Sequence, residues 1–320
     1  MSKQILGIHH ITAIAGDPQT NLDFYAGVLG LRLVKLTVNF DDPGTYHLYY
    51  GDGVGHPGTI LTFFPWPKAP KGRRGTGQVT ETAFAVPESA LDFWRARLQE
   101  RSIPFQGPFD RFGEQVISFS DPDGMRIELI ATRTARKDRA YQDGTVPLDF
   151  AIRGFHSATF SQIDHRETAG LLTDTMGFKL VGQEGERFRY AVNSGEPGAL
   201  VDVLRAPDER PGRVLAGSVH HIAFRTPDDE QQSDWRAELA RQKYAVSAVM
   251  DRKYFHSIYY REPGGILFEI ATDPPGFSVD EAPDQLGSKL VLPPWLEPER
   301  GNLEAVLPPL RLPAQQEASV

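Results

Sequence analysis

"GIHHITAIAGDP" (residues 7–18) and "SVHHIAFRTPDD" (residues 218–229) say nearly the same thing at opposite ends of one chain. The chain holds nine histidines in 320 residues, and four of them fall into these two doublets, His9–His10 and His220–His221. A phrase repeated at such a distance calls for a search for internal repeats before any local reading.

Working outward from the doublets, one pattern recurs four times: an alternating apolar strand, a turn, an amphipathic helix, then about three strands. In the first copy, Leu22, Tyr25 and Leu29 recur at helical spacing in "QTNLDFYAGVLG" (19–30), and Gly30 is a natural stop. The second copy begins at "TETAFAVPES" (80–89), the third at "GFHSATFSQID" (154–164) and the fourth at the second doublet. Aligning first strands puts His10, Glu81, His156 and His221 in register, at steps of 71, 75 and 65 residues. Aligning last strands puts Phe63, Glu128, Asp202 and Glu269 in register; "DPDGMRIELI" and "EPGGILFEIA" share their turn and the place of their acid. The chain divides into residues 5–135 (modules one and two), 150–275 (modules three and four) and a Pro-rich tail, 280–320, with one short helix in "EPERGNLEAVL" and loose final residues.

Bulk properties narrow the chemistry. Net charge is −8, which argues against a nucleic-acid partner. With no cysteine there is no disulfide, thiolate ligand or cysteine nucleophile, so a metal would have to be held by imidazole, carboxylate or other oxygen donors. No apolar run reaches the ~18 residues of a membrane span, and "MSKQILGIHH" lacks the apolar core of a secretory signal. The expectation is a cytoplasmic protein without a membrane partner, and a homo-oligomer is compatible with it. "GVGHPG" (53–58) matches a dinucleotide pattern only formally: Pro57 interrupts it and a strand, "TILTFF", follows. "KAPKGRRGTG" (68–77) reads as a solvated linker.

"HHITAIAGDPQTNLDFYAGVLGLRL" resembles the opening module of the vicinal oxygen chelate superfamily, which includes glyoxalases, bleomycin-resistance proteins and extradiol dioxygenases. "YHLYYGD", "GTILTFFP", "RGFHSATFS" and "DRKYFHSIYYREPGGILFEIATDPPGF" are similar to its four-module hydroquinone and chlorohydroquinone ring-cleaving dioxygenases, over roughly residues 5 to 290. The resemblance implies an α+β fold of four βαβββ modules paired into two cupped, barrel-like mixed sheets. It implies that modules one and four pair across the whole chain. Their register positions, His10, Phe63, His221 and Glu269, then supply two imidazoles and one carboxylate, the donor set of non-haem Fe(II) oxygenases.

Strand alternation sends the two histidines of a doublet to opposite faces. The register and the family pattern select His10 and His221 as ligands, leaving His9 for acid–base work and His220 as a supporting residue. Matching against the ring-cleaving enzymes also implies roles for Arg252, toward a phenolate, and Tyr259, toward substrate oxygen; His256 is a further candidate. Of Tyr46, His47 and Tyr49, the sequence does not say which reach the site. Glu81, Glu128, His156 and Asp202 read as a vestigial cup closed by hydrogen bonds and ion pairs with Arg126 or Arg189. The implied activity is Fe(II)-dependent extradiol-type cleavage of a hydroquinone-like or catechol-like diol with O₂, Mn(II) being the alternative metal. The alternatives are a metal-dependent glyoxalase or lyase, against which Phe63 in the fourth place argues, and a metal-free binder of small aromatic compounds.

Overall fold

The structure, a computed structural model, describes residues 3–312; the expectation of loose final residues falls largely outside that range. Module one contains β1 (Ile8–Ala15), α1 (Pro18–Leu22), β2 (Arg32–Asn39), β3 (Asp42–Gly51) and β4 (Ile60–Pro65). Module two contains β5 (Gln78–Pro87), α2 (Leu91–Glu100), β6 (Phe105–Arg111), β7 (Glu114–Ser120) and β8 (Arg126–Thr132). Module three contains β9 (Phe155–Gln162), α3 (Arg166–Gly170), β10 (Lys179–Glu184), β11 (Arg187–Ala191) and β12 (Leu200–Arg205). Module four contains β13 (Ser218–Thr226), α4 (Asp229–Arg241), β14 (Met250–Asp251), β15 (Phe255–Arg261) and β16 (Leu267–Pro275).

Local chemistry sets the helix ends. The Asp17 side chain accepts the Thr20 N–H at 2.8 Å, and Pro18 starts α1, where a missing N–H costs nothing. The helix continues as a π-helical turn, Asp23–Val28, and the chain leaves it through Gly30 at φ +70°, a conformation that strains a side-chain-bearing residue.

Modules pair from the outside in. One eight-stranded sheet runs β14-β15-β16-β13-β1-β4-β3-β2, and the other runs β10-β11-β12-β9-β5-β8-β7-β6. Each sheet therefore draws one module from residues 5–135 and one from 150–275. At the centre of the first, β1 and β13 are antiparallel, each flanked by a parallel partner, β4 and β16. Each sheet curls into a cup. The helices bury their apolar stripes on the outer face: Tyr25 beside α1 meets Phe63 at 4.5 Å between ring centroids, and α4 buries Trp235 and Leu239.

The central strands carry matched irregularities. In the β1–β13 ladder, Ile8 pairs with Phe224 and His10 with Ala223, so His9 is an extra residue. Further along, Thr12 pairs with His221 and Ala13 with Val219, so His220 is an extra residue too. The first histidine of each doublet is thus the inserted residue of a β-bulge, which interrupts the alternation expected of a regular strand. The second sheet has the same two bulges, at Thr80 in β5 and His156 in β9.

Two peripheral segments complete the frame. The basic linker is not simply solvated: Lys71, Arg73 and Thr76 form isolated bridges with Ala216, Arg213 and Pro211 of the corresponding linker between modules three and four. The tail lies along the outer edge of β2, where the Val291 N–H donates to the Leu36 carbonyl at 2.9 Å, covering a free strand edge. It carries the expected short helix, α5 (Arg300–Val306), and supplies Asp280 and Glu281 to the fully buried Lys35. Among the described residues no helix is long and apolar enough to cross a membrane.

Candidate metal centre and cavity

His10, His221 and Glu269 come together in the first cup, all buried. Glu269 Oε2 lies 3.2 Å from His10 Nε2 and 3.0 Å from His221 Nε2, and the two Nε2 atoms are 3.4 Å apart. These are the two outer modules closing on each other: 211 residues separate the histidines.

The bulges explain the doublets. His9 Nε2 lies 3.2 Å from the Thr272 carbonyl, which can only accept, so this nitrogen carries the proton. Burial and the neighbouring His10 push His9 well below the usual imidazole range, so the ring is neutral and its Nδ1 is an acceptor. His10 Nδ1, 2.9 Å away, must then donate, which leaves His10 Nε2 with a bare lone pair aimed at Glu269. The contact repeats in the second doublet: His220 Nδ1 and His221 Nδ1 are 2.7 Å apart. Burial lowers both, His220 to about 3. Regular alternation would have separated these rings; the inserted residue lets consecutive rings meet, and it holds the inward-facing imidazole from behind.

The Glu269 carboxylate is fully buried between the two rings. Ser257 Oγ donates to Oε1, while Oε2 makes no hydrogen bond although it is buried. A buried carboxylate oxygen without a hydrogen-bond donor, with the Nε2 atoms of His10 and His221 beside it, is costly unless a cation sits among them. That donor set fits a divalent transition metal.

One expectation is corrected here. Phe63 does not hold the fourth place: it turns toward Tyr25 on the helix side. In the parallel ladders Thr12 pairs with Thr62 as Ala223 pairs with Glu269, so Thr62 is the position equivalent to Glu269. Its hydroxyl donates to Thr12 Oγ1 at 2.9 Å and lies 2.8 Å from His47 Nε2.

Beside the triad lies a cavity of about 290 Å³, walled by His10, Thr12, His47, Tyr49, Phe64, Trp66, His221, Phe255 and Tyr259, with Asn39, Phe40 and Asp41 at the β2–β3 turn. About 150 Å³ suffices for a benzene ring, so one substituted ring fits. Tyr259 sits opposite Glu269 in the β15–β16 ladder. Burial and the Glu269 charge raise its phenol, so it keeps its proton, and it accepts Arg252 Nε–H at 3.2 Å. Arg252 also reaches Asp41 at 3.0 Å, joining modules four and one across the cavity mouth.

The remaining candidates lie elsewhere. His256 is turned away from the cavity, its Nδ1 2.6 Å from Asp229 at the start of α4. His9 stands behind His10, while His220 reaches the cavity wall. Tyr46 donates to the Pro308 carbonyl at 3.1 Å, whereas His47 and Tyr49 face the cavity. Sequence reasoning missed Phe255, whose ring packs 4.8 Å from that of His10; period-2 spacing from Tyr259 gave the only signal. Phe40, Asp41 and Trp66 sit in turns, where no periodicity applies.

The second cup holds no comparable cluster among the described residues. The ladders place Glu81 where His10 stands and Asp202 where Glu269 stands, but Ser157, not His156, where His221 stands. His156 takes the bulge position, with Nδ1 3.1 Å from Ser157 Oγ and Nε2 3.0 Å from Glu114. Arginines fill this cup: Arg111 pairs with Glu128 through bonds of 2.5 and 2.9 Å, Arg187 reaches Glu81 at 2.9 Å, and Arg189 reaches Asp202 at 2.8 Å. Arg126, expected among them, instead donates to Ser118 at 3.3 Å.

The family model described as the Glyoxalase/Bleomycin resistance protein/Dioxygenase superfamily matches residues 7–129 and 154–270. The chain is 50% identical over 312 residues to a Bacillus subtilis (strain 168) protein named "Putative ring-cleaving dioxygenase MhqO", covering 98% of this chain and 99% of that one. It is 36% identical over 309 residues to the "Chlorohydroquinone/hydroquinone 1,2-dioxygenase" of Sphingobium indicum, covering 95% and 96%. The crystal structure of a "putative dioxygenase" from Bacillus subtilis superimposes with a TM-score of 0.93 at 49% identity, covering 97% of this chain and 99% of that one. Glyoxalase I from Zea mays, at 14% identity, shares the fold alone, with a TM-score of 0.61 over 85% of this chain and 93% of that one.

Proposed function

This chain belongs to the Glyoxalase/Bleomycin resistance protein/Dioxygenase superfamily, and we propose that it is an Fe(II)-dependent ring-cleaving dioxygenase acting on a hydroquinone-like aromatic diol. The names of its full-length relatives support the reaction class. The observation that carries the proposal is the triad: two imidazole nitrogens and a buried carboxylate oxygen without a hydrogen-bond partner converge beside an aromatic-lined cavity.

His10, His221 and Glu269 would hold the metal on one side and leave the cavity side open to ligands. Fe(II), which this donor set suits, or Mn(II) in its place, would supply the redox coupling between a diol and O₂. The protein's own residues do the rest. Ser257 fixes the Glu269 carboxylate, and His9 fixes the tautomer and tilt of His10. Tyr259, protonated and held by Arg252, donates its hydroxyl hydrogen toward a substrate oxygen. The Arg252 guanidinium adds a positive field that favours a phenolate. Phe64, Trp66 and Phe255 flank the ring and keep water from it.

The test is anaerobic reconstitution with Fe(II), then oxygen-electrode assays with hydroquinones and catechols. The proposal expects O₂ uptake and a ring-opened product, both lost in His10→Ala, His221→Ala and Glu269→Ala. Full turnover without O₂, or undiminished turnover in those variants, would contradict it.

A further inference from the structure

His47 has no part in the account so far, yet it faces the cavity with one nitrogen committed and the other free. Its ring is held between Tyr49 and Phe64, with centroids 3.9 and 4.3 Å away. Thr62 spends its hydroxyl proton on Thr12 Oγ1 at 2.9 Å. The Thr62 oxygen can therefore only accept from His47 Nε2, 2.8 Å away, so Nε2 carries the imidazole proton. Burial pushes the ring well below the usual imidazole range, so it is neutral. Nδ1 is then a bare acceptor, and it makes no hydrogen bond among the described residues.

Position gives this acceptor a meaning. His10 lies on β1 and His47 on β3, with β4 between them. Two strand spacings make roughly 10 Å across the sheet, and the ladders set His47 further along the strands as well, since Ile60 stands beside His10 while Phe63 stands beside Leu48. Both residues line the same cavity, so His47 stands on its wall away from His10, on the side where the far end of a bound ring would lie. A catechol cannot use it, because its second hydroxyl sits beside the first, toward the metal.

We propose that His47 Nδ1 accepts the hydrogen bond of the far hydroxyl of a para-diol, and so selects hydroquinones over catechols and monophenols. Thr12 and Thr62 are positioning residues that set the His47 tautomer. The proposal rests on the dioxygenase reading for its substrate class, but binding can be measured apart from turnover.

The experiment compares anaerobic calorimetric binding of hydroquinone and of 4-methylphenol, which lacks the far hydroxyl, to the Fe(II)-reconstituted enzyme. The wild type should favour hydroquinone by roughly tenfold, the ratio one net hydrogen bond gives. His47→Phe, which keeps the stacked ring, should abolish that preference. His47→Asn, which keeps an acceptor near the same place, should retain part of it. Thr62→Val, should His47→Phe fail to fold, should reduce it in the same direction. In aerobic assays the kcat/KM ratio of hydroquinone to catechol should fall by about the same factor in His47→Phe. A wild type with no preference, or a His47→Phe enzyme with the wild-type ratio, overturns the proposal. If no diol is cleaved but the binding preference appears and vanishes as described, His47 keeps its role and the ring-cleavage reading fails.

Discussion

The two cups are built on the same bulged strand pair and neutralise their acids in opposite ways. In the second, the residue across the ladder from Asp202 is Arg189, whose guanidinium grips that carboxylate; Arg187 and Arg111 do the same for Glu81 and Glu128. Every buried acid there has a resident cation, so no exchangeable ion is needed. In the first cup the residue across from Glu269 is Tyr259, which carries no charge. Two imidazoles complete the set, and no arginine pairs with Glu269 among the described residues. One module pairing can therefore be a metal centre or an ionic plug, and the residue opposite the acid decides much of the difference.

The comparison can be broken at several points. The largest effect should come from the ligands: His221→Ala or Glu269→Ala should lower kcat by about 10³-fold or more, since a metal contributes several kcal/mol to the transition state. Glu81→Gln, at the corresponding place in the second cup, should leave steady-state kinetics within about twofold, because it touches no reacting atom. Next, Tyr259→Arg should turn the first cup into a plug. The new guanidinium should pair with Glu269, and metal content should fall below about one-tenth per chain, since a charged donor there competes directly for the carboxylate; circular dichroism should remain that of the folded protein.

A third test concerns stability. Arg189→Met leaves Asp202 buried with a weakened set of partners, which should cost about 3–5 kcal/mol in thermal or denaturant unfolding. Activity of the folded fraction should be unchanged. The smallest effect should come from the bulges: His9→Phe should weaken metal binding by about 10–100-fold, as loss of a ligand's orienting partner does. Thr80→Ala, at the matching bulge of the second sheet, should leave it unaltered. Metal titration followed by melting temperature reads both.

The modules were legible because period-2 and period-3.6 patterning recurs at nearly constant spacing, and the doublets marked the outer pair. His10, His221 and Glu269 are the residues the structure brings together. What escaped was register. A bulge inserts one residue, and a one-residue shift moves every side chain to the other face. That is why His156 was aligned with the ligands rather than with the bulge positions, and why Phe63 stood in for Thr62. The arginines of the second cup come from β6 and β11, strands whose order in the sheet local patterning does not reveal; hence Arg111 and Arg187 went unnoticed. The cavity mouth is made of turns, and His256 is claimed by a helix-start acid distant in sequence.

The central claim is that one metal is held between the two ends of the chain and none between its inner modules. Its most direct test is metal analysis by mass spectrometry of Fe(II)-reconstituted protein after extensive dialysis. The account predicts one equivalent per chain for the wild type, one for Glu81→Gln, and none for His221→Ala. Two equivalents in the wild type, or one retained in His221→Ala, would contradict it.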